Sequence, residues 1–169
     1  MLEGETRVDR VKNETTVERT SDCELIVRRT FNGPARIVFE AWTKPEHLKR
    51  WWAPKSLGVS LFKCESDLRV GGAYRYEFGR DPKDPEVFSG LYKVVDPPAR
   101  LVLTQVYERM REAGEAVVTA TFEESNGRTR LTLHQRYPSK EALDGAIASG
   151  MERGMRETLD QLEDLVASI

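Results

Sequence analysis

The chain has 169 residues, with 26 Lys or Arg against 28 Asp or Glu and a formal net charge of −2. That length suits one domain with a sizeable core, and the near balance of charge supplies no basic footprint for nucleic acid. Two isolated cysteines (Cys23 and Cys64) make neither a disulfide framework nor a paired metal site, and no run has the apolar length of a membrane span or the pattern of a signal peptide.

A soluble cytoplasmic protein with no metal and no cofactor is therefore expected. Residues 1–20 are polar and of mixed charge, and read as a partly disordered N-terminal extension with a weak strand over 15–19. Residues 21–169 read as a single domain. "ELIVRRTF" (24–31) is β-branched and apolar, a strand stopped by "NGP". Pro34 suits the first turn of a helix, where its missing N–H has no intrahelical partner. Val38 and Trp42 then share one face of that helix. Thr43, Pro45 and Glu46 have the spacing of a capping box, which would start a second helix that ends at Pro54.

Six strands follow, over 58–65, 72–79, 86–95, 100–108, 115–124 and 128–137. They are separated by Gly-, Pro-, Asp- and Asn-rich punctuation, including the hairpin pair Asn126-Gly127. A single helix closes the chain, from a Ser139 N-cap to about Ala167. Leu143, Ile147, Met151, Thr158, Leu162 and Leu165 share its apolar face, while Glu152, Arg153, Arg156, Asp160 and Glu163 take the other. The simplest way to bury both apolar surfaces is an α+β fold, a curved antiparallel sheet of about seven strands wrapped around the long C-terminal helix. The two short helices then lie between strands 1 and 2.

Several features bear on function. Gly150 and Gly154 fall on the apolar face of the last helix, where each costs about 1 kcal/mol relative to alanine. They either leave space between helix and sheet, walled by Met151 and Met155, or admit a bulky strand residue such as Tyr76 or Tyr92. In "AYRYEF" the rings of Tyr74, Tyr76 and Phe78 line one face, as core or as a pocket wall, and Arg75 and Glu77 point outward. His134 alternates out of phase with Leu131 and Leu133 and so faces solvent. His47 reads as a surface residue. Lys63 could lower the pKa of Cys64, although a small buried residue explains the cysteine as well. Trp51 and Trp52 are adjacent in a short helix and diverge by about 100°. Trp51 is expected to anchor the core and Trp52 to sit at the rim, where it would line a pocket mouth or meet a partner.

Five stretches occur together in order: "TFNGPARIVFEAWTKPEHLKRWWAPKS", "DLRVGGAYRYEF", "GLYKVVDPPARLVLTQ", "VTATFEESNGRTRLTLHQ" and "GMERGMRETLDQLEDLVA". Jointly they resemble the activator of heat-shock protein 90 ATPase homologue-like family of the START-like (SRPBCC) superfamily. The resemblance implies the helix-grip fold, whose cavity holds lipids, sterols or polyketides and in a minority of members supports cyclase or hydroxylase chemistry. The co-chaperone that named the family carries a separate N-terminal domain, and here about twenty polar residues stand in its place.

The leading expectation is non-catalytic binding of a small hydrophobic or amphipathic ligand in a cavity between the C-terminal helix and the sheet. Its lining would comprise Trp42, Trp52, Tyr74, Tyr76, Phe78, Tyr92, Ile147, Gly150, Met151, Gly154 and Met155, with no catalytic residue. One alternative is a chaperone-regulating or stress-response interaction module, with Trp52, Lys49, Arg50 and Lys55 exposed to a protein partner. Another is a cyclase- or hydrolase-type enzyme on the same scaffold. The chain is read as a monomer or a homodimer, paired through an edge strand or the tryptophan region.

Overall fold

The computed structural model describes residues 13–169, so most of the extension expected over 1–20 lies outside the described residues. The strands are β1 (Thr16–Arg19), β2 (Glu24–Phe31), β3 (Ser60–Ser66), β4 (Ala73–Gly79), β5 (Glu86–Asp96), β6 (Arg100–Tyr107), β7 (Ala116–Ser125) and β8 (Arg128–Arg136). Two short helices, α1 (Ala35–Thr43) and α2 (Pro45–Trp51), join β2 to β3. Two more, α3 (Lys140–Ala148) and α4 (Met151–Ser168), close the chain. The strands form one antiparallel sheet in the order β1-β2-β8-β7-β6-β5-β4-β3. The fold is the expected α+β helix grip. Its eighth strand is the weak one over 15–19, which pairs with β2 as Thr16–Arg19.

Period-two alternation fixes which face of each strand meets the helices. On β2 that face carries Leu25, Val27, Arg29 and Phe31, all buried. On β7 and β8 it carries Ala116, Val118, Ala120, Phe122, Leu131, Leu133 and Gln135, again all buried. Helix α4 packs on β2, α1 and α2 and buries Leu159, Leu162, Leu165 and Val166. Each such aliphatic side chain stabilises the fold by about 1.5–3 kcal/mol. At the β7–β8 hairpin, Asn126 (φ 54°) and Gly127 (φ 75°) take the left-handed conformations that a tight turn of this kind requires.

At the start of α1, Pro34 is the N-cap, and the Ala35 N–H donates to the Glu124 carboxylate of β7 at 2.8 Å. Between α1 and α2 the capping box does not form. Thr43 is buried and its hydroxyl donates back to the Phe39 carbonyl at 2.8 Å, so Lys44 becomes the N-cap of α2 without a side-chain bond. Thr43 thus closes one helix and contributes nothing to opening the next.

The single closing helix is also interrupted. Ser139 caps α3 as expected, its Oγ accepting the Ala142 N–H at 3.0 Å. Gly150 then takes φ +86° and serves as the N-cap of α4. A left-handed residue cannot continue a right-handed helix, and glycine accepts that conformation without a Cβ penalty.

Candidate ligand site

The helices cover the inner face of the sheet unevenly. Over β2, β7 and β8 the inward side chains are sealed. Over β3–β6 several remain half-buried: Cys64, Ser66, Tyr76, Phe78, Phe88, Leu103 and Gln105. Trp52, just past α2, packs over Tyr76, Phe78 and Phe88, while Trp42 packs on Trp51 and Phe122, and Tyr137 on Gln135 and Met151; these residues and Met155 are likewise half-buried against the core.

Most of the aromatic residues singled out in the sequence meet here. Tyr74 packs 5.1 Å from Tyr76 and 5.4 Å from Tyr92, measured between ring centroids. Trp52 stands edge-on to Tyr76 at 5.3 Å, Phe78 at 4.9 Å and Phe88 at 5.9 Å. Such pairs add about 0.5–1.5 kcal/mol beyond area burial. Trp51 turns the other way, into the core, with 2% of its surface exposed. Its indole N–H donates to the Ala41 carbonyl at 2.8 Å, and its ring lies 4.8 Å from Trp42.

The glycines and Ile147 are placed differently from the single-helix reading. Ile147 is exposed at the end of α3, and a Cβ at Gly150 would meet nothing within 4 Å. A Cβ at Gly154 would lie 3.9 Å from Pro54, so this glycine faces the segment after α2, and neither Tyr76 nor Tyr92 is its neighbour. That segment is bound tightly to α4. The Lys55 N–H donates to the Gln161 Oε1 at 3.0 Å, and the Ser56 N–H to Glu157 at 2.7 Å.

The polar groups of Cys64, Ser66, Tyr74, Tyr76 and Tyr92 on the unsealed half are neutral. Tyr92 and Ser66 share a hydroxyl hydrogen bond at 2.7 Å, and the Tyr74 hydroxyl donates to the Thr104 carbonyl. Tyr137 donates to Gln135 Oε1 at 3.2 Å and approaches the Met151 sulfur at 3.8 Å. Burial pushes Tyr74, Tyr76 and Tyr92 above the usual phenol range and Tyr137 up to about 12. It also pushes the Cys64 thiol up to about 11, against the opposing charge of Lys49. Lys63, expected from sequence to act on Cys64, instead points outward to Glu65 at 3.2 Å. His134 faces outward as expected and contacts Glu24 at 2.7 Å.

Sequence reasoning missed Cys64, Ser66, Phe88, Leu103 and Gln105 as members of this inner surface. The signal lies in cross-strand register, such as Tyr76 opposite Phe88 and Cys64, which one strand read alone does not contain. An open cleft of about 450 Å³ lies on the other face of the sheet, by Glu65, Ala73, Arg75, Ser89 and Leu91. It is shallow and flanked by charges, and offers an apolar ligand little enclosure. Among the described residues, no group of three potential metal ligands occurs, and no helix is long and apolar enough to cross a membrane.

The family described as Activator of Hsp90 ATPase homolog 1-like protein matches residues 32–167. The chain belongs to that family. The matched span starts just after β2 and ends in the last turn of α4, so it includes both helix pairs and the whole unsealed half of the sheet. Among solved structures, this family member is similar to a Rhodobacter sphaeroides protein at 26% identity and a TM-score of 0.84, covering 92% of this chain and 100% of that one. A Staphylococcus epidermidis protein is 28% identical with a TM-score of 0.75, covering 90% and 94%. A Nitrosomonas europaea protein is 25% identical with a TM-score of 0.77, covering 89% and 97%. No curated protein matches the chain.

Proposed function

We propose that this protein binds a small hydrophobic or amphipathic molecule, without chemical conversion, between α4 and the β3–β6 half of the sheet. The carrying observation is the aromatic group around Tyr76: this half-buried ring, its phenol desolvated by burial, meets the half-buried Trp52, which also packs on the half-buried Phe78 and Phe88. Half-buried rings gathered on the inner face are apolar surface that a small ligand would cover. Aromatic walls, adaptable methionines and a few convergent hydroxyls are the usual composition of a small-molecule site. The Cys64 thiol, held protonated at neutral pH, is a poor nucleophile, which favours binding over covalent chemistry.

Native mass spectrometry of protein purified from its own host tests this reading. A reproducible small-molecule adduct, displaced by apolar fluorescent probes, is the expected result. Absence of both an adduct and any probe binding would overturn it.

Family membership together with Lys49, Arg50 and Lys55, all exposed beside Trp52, supports a second reading as a chaperone-regulating interaction module. Trp52 itself is half-buried among Tyr76, Phe78 and Phe88, which favours the ligand reading. Reversal of Lys49 and Arg50 to glutamate separates the two. It would abolish partner capture in the second reading and leave probe binding intact in the first.

A further inference from the structure

Every ionisable group described on the inner face of β3–β6 is either neutral near pH 7 or matched by a partner. Cys64, Tyr74, Tyr76 and Tyr92 are held protonated by burial. At the far end of this face, Glu86 pairs with Arg109 at 3.0 Å and accepts the Tyr107 hydroxyl. On the first turns of α4, Met151 and Met155 are half-buried and carry no charge, and the buried Thr158 hydroxyl is bound to the Met155 carbonyl. On the sealed half, Arg29 is already bound to Asp160 and Glu163. Lys49 acts on Cys64 from α2 but is itself exposed and hydrated.

This arrangement has a consequence for the ligand, resting on the binding reading above. We infer that the space accepts a neutral, ring-bearing molecule with hydroxyl or carbonyl groups and excludes the same molecule bearing a fixed negative charge. Rings are matched by the Trp52, Tyr76, Phe78 and Phe88 faces and edges. Neutral polar groups are matched by the hydroxyls of Ser66, Tyr76 and Tyr92. A carboxylate or sulfonate would lose its hydration with no unpaired cation on the inner face to replace it, a cost far larger than that of a hydroxyl. Simple fatty acids are thereby disfavoured relative to neutral polycyclic molecules.

Two dyes sharing one ring system test the point: neutral N-phenyl-naphthylamine and the anionic anilinonaphthalene sulfonate. Both are titrated against the full chain by fluorescence at neutral pH. The neutral dye is expected to bind more tightly by about tenfold or more. A smaller ratio, or preference for the sulfonate, overturns the inference while leaving the binding reading intact. Failure of both dyes overturns the binding reading and the inference with it.

Gln105→Lys adds a cation to the half-buried inner face. It is expected to tighten the sulfonate dye and weaken the neutral one, and an unchanged ratio would assign the selectivity to some other surface. The ratio on the parent protein decides the matter even where this variant does not fold.

Discussion

The side-chain amide of Gln161 on α4 donates to the backbone carbonyl of Trp51 at 2.8 Å. The same amide donates to the Ala53 carbonyl at 2.8 Å and accepts from the Lys55 N–H at 3.0 Å. One side chain therefore satisfies three backbone groups where α2 ends, on both sides of Trp52. Gln161→Ala leaves partly buried carbonyls without donors and should cost about 2 kcal/mol. Urea unfolding measures the loss, and a change in tryptophan emission before global unfolding would report release of the Trp52 segment.

The adjacent tryptophans should separate cleanly by experiment. Trp51→Ala removes a ring with 2% exposure together with its hydrogen bond to Ala41, and should destabilise the fold by about 3–5 kcal/mol. Trp52→Ala removes a half-buried ring and its three edge-on ring contacts and should cost about 2 kcal/mol, less than Trp51→Ala, with its larger effect on probe affinity. Equal losses of stability in the two variants would contradict this division.

Acid should loosen the contact between α4 and the segment after α2. Glu157 accepts the Ser56 backbone N–H and hydroxyl, which hold its carboxyl below the ordinary value of 4.5. A carboxyl pKa lowered by folding contributes stability that is complete above its unfolded value and disappears as pH falls through its folded value. Glu157→Gln should therefore melt below the parent protein at neutral pH. The gap should narrow toward about pH 3, as thermal melts across that range would show.

Arg29 is the buried charge of the core, with 2% exposure on the inward face of β2. It donates to Thr15 and Asp160, each at 2.7 Å, and to Glu163 at 3.0 Å, while its Nε has no partner among the described residues. Arg29→Met keeps the aliphatic stem but leaves the largely buried Glu163 carboxylate without its charge partner and with only the Asn13 hydrogen bonds, and should cost about 3 kcal/mol. Adding Glu163→Gln should recover part of that loss. A strictly additive double-mutant cycle would show that the pair is not coupled.

How far these features were legible in the sequence depends on the range of the interaction. Strands were legible because alternation and turn residues are local, and Trp51 was assigned to the core because its neighbour Leu48 marks the inward face of α2. Arg29 could have been found: in "ELIVRRTF" it shares its phase with Leu25, Val27 and Phe31, so period two alone places it inside. Its acidic partners looked like the solvent side of α4, because helical periodicity does not show that β1 and β2 flank that side. The break at Gly150 was hidden for a similar reason. Leu143, Ile147 and Met151 keep helical spacing across it, and the glycine's left-handed backbone leaves no mark on that pattern. The inner surface of β3–β6 depends on register between strands, and so becomes visible only in three dimensions.

The interruption at Gly150 also divides the C-terminal region into two units of unequal stability. Helix α4 is held by Leu159, Leu162, Leu165 and Val166, whereas α3 buries only Leu143 completely and is otherwise tied by exposed charges such as Arg19 to Asp144 at 2.8 Å. Hydrogen bonds of a continuous helix would couple the two, but here they stop at the glycine. Backbone amides of α3 should exchange with solvent through local opening at low free energy, while those of α4 wait for global unfolding.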